Sequence, residues 1–153
     1  MSKIHKTAII GDNCIIGRNV EIGAYSIIED QAKIGNGTKI NSHSIIYNDT
    51  KIGKNCSIGH RVLIREKTII ENNVQIGSYS DIEGSCKIES YSKLHSNVHV
   101  GQDSLIMSYA WIFPYVILTN DPIPPSDIRE GVIIEPFSIV CTRSTILPGR
   151  IVG

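Results

Sequence analysis

Residues 58–77 read IGHRVLIREKTIIENNVQIG, and isoleucine returns every six positions from Ile58 to Ile76. Extended in both directions, the same six-residue step meets an aliphatic side chain at all twenty positions from Ile4 to Leu118. A period of six matches neither the repeat of an α-helix nor the alternation of a long strand. It therefore predicts very short strands that are joined by regular corners.

A second column of side chains lies four residues after each aliphatic one, and its members are small or β-branched. Three of the four cysteines fall in this column and are predicted to fill the core: Cys14, Cys56 and Cys86. Glycine often follows the aliphatic residue, as at Gly35 and Gly59, and permits the positive φ that a tight corner needs. Each strand should thus turn one large and one small residue inward, with coils stacked in parallel about 4.8 Å apart.

The composition agrees with a single all-β domain of 153 residues, since 30 isoleucines stand against 5 leucines and β-branched residues favour strands. Lys plus Arg equals Asp plus Glu at 15 each, which argues against a nucleic-acid-binding protein. No apolar run has the length of a membrane span, and the first residues contain no secretory signal. The expected compartment is the cytoplasm.

The repeat resembles that of the hexapeptide-repeat acyltransferase family, in which three hexapeptides form one turn. The resemblance implies a left-handed parallel β-helix of 18-residue triangular coils, with coils at 4–118 and 134–153. Ten residues beyond the repeat, with three prolines, indicate an extruded loop at 119–133. Because the sequence stops within a coil, we expect the native chain to continue beyond Gly153.

Two segments point to a smaller group within this family: KLHSNVHV at 93–100 and WIFPYVILTND at 111–121. They are similar to segments of acyltransferases that modify sugars, often nucleotide-linked amino sugars, for surface polysaccharides. This resemblance implies a homotrimer with sites between neighbouring subunits. It also implies acetyl-CoA or another acyl-CoA as co-substrate, and acyl transfer to an amino or hydroxyl group of a sugar. No metal is expected.

Acyl transfer requires a group that removes a proton from the attacking amine or hydroxyl, and histidine suits that role near neutral pH. His95 is the first candidate for the general base, with His99 as the second. If the amine arrives unprotonated, Asn97 would instead orient the sugar. Residues predicted to contact the substrate are His99, Trp111, Asn120 and Asp121. Residues predicted to contact acyl-CoA are Cys141, Thr142, Arg143 and Arg150.

Four aromatic residues alternate at Tyr109, Trp111, Phe113 and Tyr115, and none of them falls in an inward column. Such a cluster of outward rings is typical of a subunit contact or of a surface that stacks against a nucleotide base. We expect these four rings to form a subunit contact.

The position of His95 differs from the family pattern. In related acyltransferases the catalytic histidine lies two residues after the aliphatic residue, as His60 does here, whereas His95 lies one residue after Leu94.

Two other interpretations of the function remain open. A γ-type carbonic anhydrase would need zinc-binding histidines spaced by 36 and 5 residues, while His60, His95 and His99 are spaced by 35 and 4. The other alternative is a non-catalytic β-helix scaffold or sugar-binding module.

Overall fold

A computed structural model describes residues 1–125 and 127–153, and its regular structure within those ranges consists of two-residue strands. In chain order the strands are β1 (Lys3–Ile4), β2 (Ile9–Ile10), β3 (Ile15–Ile16), β4 (Glu21–Ile22), β5 (Ile27–Ile28), β6 (Lys33–Ile34), β7 (Lys39–Ile40), β8 (Ile45–Ile46), β9 (Lys51–Ile52), β10 (Ser57–Ile58), β11 (Leu63–Ile64), β12 (Ile69–Ile70), β13 (Gln75–Ile76), β14 (Asp81–Ile82), β15 (Lys87–Ile88), β16 (Lys93–Leu94), β17 (His99–Val100), β18 (Leu105–Ile106), β19 (Trp111–Ile112), β20 (Ile117–Leu118), β21 (Ile133–Ile134), β22 (Ile139–Val140), β23 (Thr145–Ile146) and β24 (Ile151–Val152). Within these two ranges, no helix has the length and apolar character that crossing a membrane requires.

The strands stack into three parallel sheets of eight strands each. Sheet A contains β1, β4, β7, β10, β13, β16, β19 and β22; sheet B contains β2, β5, β8, β11, β14, β17, β20 and β23; sheet C contains the remaining eight. Partners in a sheet are one coil apart, so Ile58 pairs with Ile40 on one side and Ile76 on the other. The predicted left-handed parallel β-helix is thereby confirmed, with eight triangular turns.

The core is the inside of the triangle, and the second residue of each strand points into it. Ile46, Ile64 and Ile82 are fully buried and stack directly above one another in sheet B. The small column is buried too, and its hydroxyls donate hydrogen bonds to backbone carbonyls, as Thr38 Oγ1 does to the Gly53 oxygen at 2.7 Å. These bonds offset the cost of burying a polar group in an otherwise apolar core.

The corners owe their shape to the third residue after each inward aliphatic residue. Among residues 1–125 and 127–153, nineteen non-glycine residues have positive φ, between 54° and 65°, and all of these occupy this position. The prediction that the glycine column supplies positive φ is therefore wrong. Those glycines are needed because successive coils approach closely: a Cβ on Gly35 would lie 2.5 Å from the carbonyl carbon of Gly53.

Backbone N–H groups at the corners are satisfied by side chains of neighbouring coils. The Arg18 amide donates to Asn36 Oδ1 at 2.8 Å, one coil further along. At another coil a glutamate is the acceptor, and the backbone N–H of Ser90 donates to Glu71 Oε2 at 3.1 Å. Burial opposes ionisation of Glu71, but hydrogen bonds from Lys87 and Ser90 outweigh it and hold the pKa of this carboxyl below its ordinary value.

The reactivity of the cysteines provides a direct test of which side chains are buried and which are exposed. Burial raises the pKa of the Cys86 thiol to about 12, so almost no reactive thiolate exists at pH 8. Cys141 is exposed at a corner. In the native protein at pH 8, iodoacetamide should modify Cys141 and spare Cys86 and Cys56, as read by peptide mass spectrometry. Equal labelling of Cys86 and Cys141 would contradict this burial; labelling in concentrated urea is the control.

Candidate active site

The extruded loop leaves the β-helix between β20 and β21, at the corner between sheets B and C. The strand resumes at Ile133, so the loop covers 119–132, one residue fewer than predicted; within it, Ser126 lies outside the described residues. The loop is tied back at its base, where the Glu130 amide donates to the Asn120 carbonyl at 2.8 Å. A cavity of about 560 Å³ separates its first residues from Leu147 and Arg150 of the last coil.

His99 is the outward residue of β17 on sheet B, and two carboxylates flank its ring. Nδ1 lies 3.9 Å from Asp81 Oδ2, and Nε2 lies 3.8 Å from Glu83 Oε1. Asp81 faces His99 because the two pair in register on adjacent strands. The ring of His99 therefore lies between two acidic side chains, one paired with it on the neighbouring strand and one at the corner that follows β14.

Both carboxylates are held in place by other groups. Arg65 donates to Asp81 through Nε at 3.2 Å and Nη2 at 2.9 Å, and this hydrogen bonding raises the pKa of the guanidinium. Glu83 Oε2 accepts from Asn120 Nδ2 at 2.7 Å and from the Gln102 amide at 2.8 Å. The predicted residues His99 and Asn120 are thus brought together through Glu83, at the base of the loop.

His95 lies at the corner that follows β16, and its ring is part of an aromatic stack. Trp111 Nε1 donates a hydrogen bond to His95 Nε2 at 2.7 Å, and the rings of Trp111 and Phe113 stack beside it at 5.9 and 5.3 Å. Since an indole N–H can only donate, neutral His95 carries its proton on Nδ1. In this arrangement neither nitrogen of His95 has a free lone pair, which does not favour the predicted role as general base.

The other predicted residues are distributed over two corners of the triangle. Asn97, Cys141, Thr142 and Arg143 share the corner between sheets A and B, where Asn97 is one of the positive-φ residues, at 58°. Arg143 lies over the Tyr115 ring at 6.0 Å. Arg150 lies at the corner between sheets B and C, beside the loop. Within one chain, the predicted acyl-CoA residues therefore do not form one site.

Asp121 lies in the first part of the loop, beside Asn120. Its Oδ2 is 3.4 Å from Arg129 Nη1, and its Oδ1 accepts a hydrogen bond from the Ile123 amide at 3.2 Å. Together with Arg150 it lines the cavity beneath the loop, which gives that cavity one acidic and one basic side chain.

The alternating aromatic residues divide between two different surfaces. Tyr109 stacks with Tyr91 and Phe137 at 5.0 Å each, along the corner between sheets C and A. Trp111 and Phe113 instead surround His95. The four rings do not form the one cluster that their sequence spacing indicated.

Sequence reasoning missed Asp81, Glu83 and Arg65. A signal was present: the outward column of sheet B is apolar from Ile9 to Leu63 and then changes to Asp81 and His99, 18 residues apart. Among the described residues, no group of three or more His, Cys, Asp or Glu side chains is arranged to hold a metal ion.

Comparison with known proteins identifies both a family and a fold. The family model described as the GMPPB C-terminal domain matches residues 1–85, which is more than half of the chain. A comparison with curated protein sequences gives no match.

Several solved structures have the same fold. A perosamine N-acetyltransferase variant from Caulobacter crescentus, in complex with CoA and GDP-perosamine, is 18% identical with a TM-score of 0.66, covering 82% of this chain and 55% of that one. A UDP-N-acetylglucosamine acyltransferase from Bacteroides fragilis is 20% identical with a TM-score of 0.66, covering 99% and 69%. A hexapeptide transferase family protein from Anaplasma phagocytophilum is 22% identical with a TM-score of 0.61, covering 78% and 74%. The chain thus spans about half the length of the perosamine enzyme, and the likeness shows the hexapeptide-repeat β-helix fold.

Proposed function

Since this chain belongs to the GMPPB C-terminal domain family, we propose that it is a β-helix protein that acts on nucleotide-linked sugars, transferring an acetyl or other short acyl group from acyl-CoA to a sugar amine or hydroxyl. The observation that carries the proposal is His99, held between two anchored carboxylates at the base of the extruded loop. The likeness to a perosamine N-acetyltransferase, whose structure contains CoA and GDP-perosamine, supports this choice of substrates.

In the proposed mechanism His99 is the general base. It takes a proton from the sugar amine or hydroxyl as that group attacks the thioester carbonyl, and the carboxylates of Asp81 and Glu83 stabilise the resulting imidazolium. When the tetrahedral intermediate collapses, the carbon–sulfur bond breaks and the proton passes to the departing CoA thiolate. His99 is thereby returned to its neutral form.

Substrate binding is proposed for the residues around the loop. Asn120 and Asp121 would hold sugar hydroxyls or an amino group, with Asp121 supplying the negative charge that an ammonium group prefers. His95, with Trp111 stacked beside it, would serve as a hydrogen-bond donor through Nδ1. Asn97 would orient the sugar if its amine arrives unprotonated.

Acyl-CoA binding is proposed for Cys141, Thr142, Arg143 and Arg150, which requires more than one subunit. A three-fold assembly repeats a heterologous contact, so it joins one corner of a chain to a different corner of its neighbour. Arg143 of one subunit and Arg150 of the next would then face the same phosphates. A mass in solution of about three times 16.9 kDa is expected by light scattering, and a monomer would contradict the shared site.

The first test is calorimetric titration of acetyl-CoA, followed by a panel of nucleotide-linked amino sugars with product detection by mass spectrometry. We expect saturable binding that weakens about ten-fold or more in Arg150→Gln, because a charge-assisted contact to phosphate is lost. Arg61→Gln is the matched control, since Arg61 is an exposed corner arginine in an earlier coil. Absence of both acetyl-CoA binding and acyl transfer would contradict the proposal.

A second candidate function is a non-catalytic module that binds a nucleotide sugar or another protein domain. It is favoured by one observation: the family match covers residues 1–85 and describes a C-terminal domain, whereas His99 and the loop lie beyond it. Binding of a nucleotide sugar without any binding of acetyl-CoA would support this module and exclude the transferase.

A further inference from the structure

A group of unpaired cations lies on the early coils, along sheet C and the corner between sheets C and A, away from His99 on sheet B. Lys33 begins β6 and Lys51 begins β9, and the two pair in register as neighbours on sheet C. Adjacent parallel strands are about 4.8 Å apart, and like charges directly opposite each other are unfavourable. Within residues 1–125 and 127–153, neither lysine forms an ion pair. Two like charges held together in this way favour the binding of an anion.

Two more exposed cations continue the patch around the corner between sheets C and A. Arg18 and Lys54 lie one coil before and one coil after Asn36, and in the described part of the chain neither of them pairs with a carboxylate. The acidic residue that follows along this corner, Glu71, is occupied by Lys87 and Ser90. The patch therefore has four cations although the chain as a whole has no net charge.

A groove lies between these cations, over three glycines of the corner. Gly17, Gly35 and Gly53 follow one another in successive coils and form its floor. The cavity has a volume of about 380 Å³, and Lys33, Lys51 and Lys54 line it, with no acidic residue among the lining residues. An anion can thus approach the backbone itself while cations surround it.

The floor of the groove contains an unused hydrogen-bond donor, the backbone N–H of Asn36. The backbone N–H groups of Arg18 and Lys54, at the same corner position, donate to Asn36 Oδ1 and Asn72 Oδ1, both at 2.8 Å. The backbone N–H of Asn36 has no such acceptor, because the residue one coil further along is Lys54. Within the described residues this N–H donates to no protein atom. Exposed backbone N–H groups beside cations are typical of phosphate-binding sites.

We propose that this groove, lined by Lys33, Lys51, Lys54 and the backbone amide of Asn36, with Arg18 in the preceding coil of the same corner, binds a diphosphate group. Four cations exceed what a single carboxylate or monophosphate would neutralise. The three lysines come from two successive coils and Arg18 lies one coil before them, so the positive charge extends over a length that suits a ligand with two linked phosphates. Lysine and arginine supply charge-assisted hydrogen bonds to phosphate oxygens, and the amide supplies a fixed donor. The diphosphate can come from free inorganic pyrophosphate or from a nucleotide, and both present the same chemistry to the groove.

The principal experiment is calorimetric titration of inorganic pyrophosphate into the full chain. The variant Lys33→Gln/Lys51→Gln is expected to weaken binding about ten-fold or more, because two charge-assisted contacts are lost. The matched control is Lys6→Gln/Lys67→Gln, which removes the same charge from exposed corner positions and should change binding less than about two-fold. Equal weakening in both variants would overturn the proposal, since it would indicate only a general charge effect.

A second pair of variants tests the amide. Asn36→Ala and Asn36→Pro both lose the Oδ1 acceptor for Arg18, but only proline removes the N–H. Proline is compatible with this corner position, which Pro114, Pro136 and Pro148 occupy in later coils. Binding of pyrophosphate should be several-fold weaker in Asn36→Pro than in Asn36→Ala. Identical affinities would exclude the amide as a ligand and overturn the site as described.

The remaining arms identify the source of the diphosphate and separate this site from the proposed active site. ADP, GDP or UDP binding more tightly than pyrophosphate would support a nucleotide, whereas equal affinities would support free diphosphate. His99→Ala should leave pyrophosphate binding unchanged, whether or not the transferase proposal holds. Binding that is lost in His99→Ala but retained in Lys33→Gln/Lys51→Gln would place the ligand elsewhere and overturn the inference.

Discussion

Replacement of Ile64 by alanine is expected to lower the free energy of unfolding by about 2–5 kcal/mol. Ile64 is fully buried, and it is stacked between Ile46 and Ile82 of the neighbouring coils. The substitution leaves a cavity that the repeating backbone cannot close, because each coil is held by hydrogen bonds to the coils on both sides. Urea denaturation followed by circular dichroism measures the change.

The matched control is Leu63→Ala, on the same strand. Leu63 faces outward and is only half-buried, so its truncation removes less apolar contact and should cost less than about 1.5 kcal/mol. Similar losses for the two variants would contradict the assignment of Ile64 to the core and Leu63 to the outer face.

Replacement of His99 by alanine is expected to reduce kcat for acyl transfer by about 10²–10⁴-fold, the usual contribution of a general base. His95→Ala should have a smaller effect, because its Nε2 already accepts a hydrogen bond from Trp111. Glu83→Gln should reduce kcat to a lesser degree than His99→Ala, since it removes one of the two charges that stabilise the imidazolium but leaves the base in place. Initial rates at saturating acetyl-CoA measure all three variants.

An exposed histidine in an earlier coil, at the corner between sheets A and B, provides the control. His60→Ala should retain full activity and the same oligomeric mass, because in the described part of the chain no hydrogen bond or ion pair joins the His60 side chain to the residues around the loop. A large loss of kcat in His95→Ala with little change in His99→Ala would reverse the assignment. Trp111 would then have to release His95 during the reaction.

The fold could be predicted from sequence because its determinants are local and repeated. Every coil places a large residue such as Ile64 and a small residue such as Val62 at fixed offsets, and both columns are visible in the chain itself. The backbone conformation of the corners was harder to predict from sequence. Asparagine, tyrosine and arginine all occupy the positive-φ position, so residue type alone does not reveal it, while the more conspicuous glycines reflect the close approach of coils.

The candidate site was only partly predictable because its contacts join distant parts of the chain. Asp81 and His99 are separated by one coil, a relation that the repeat contains. The hydrogen bond from Asn120 to Glu83 spans 37 residues and depends on the path of the extruded loop, which follows no repeat. The hydrogen bond between Trp111 and His95 depends on side-chain rotamers and hydrogen-bond direction, neither of which residue spacing specifies.

The extruded loop gives this chain two very different tolerances to changes in length. After the loop the six-residue step resumes, and Ile134 pairs with Ile106 as if nothing had been inserted. A one-residue insertion within a coil would exchange inward and outward side chains, whereas doubling the loop would cost only about 0.6 kcal/mol in closure entropy. Loop segments from other β-helices could therefore be grafted between Leu118 and Ile133, which makes this junction the natural place to vary the sequence while the solenoid stays intact.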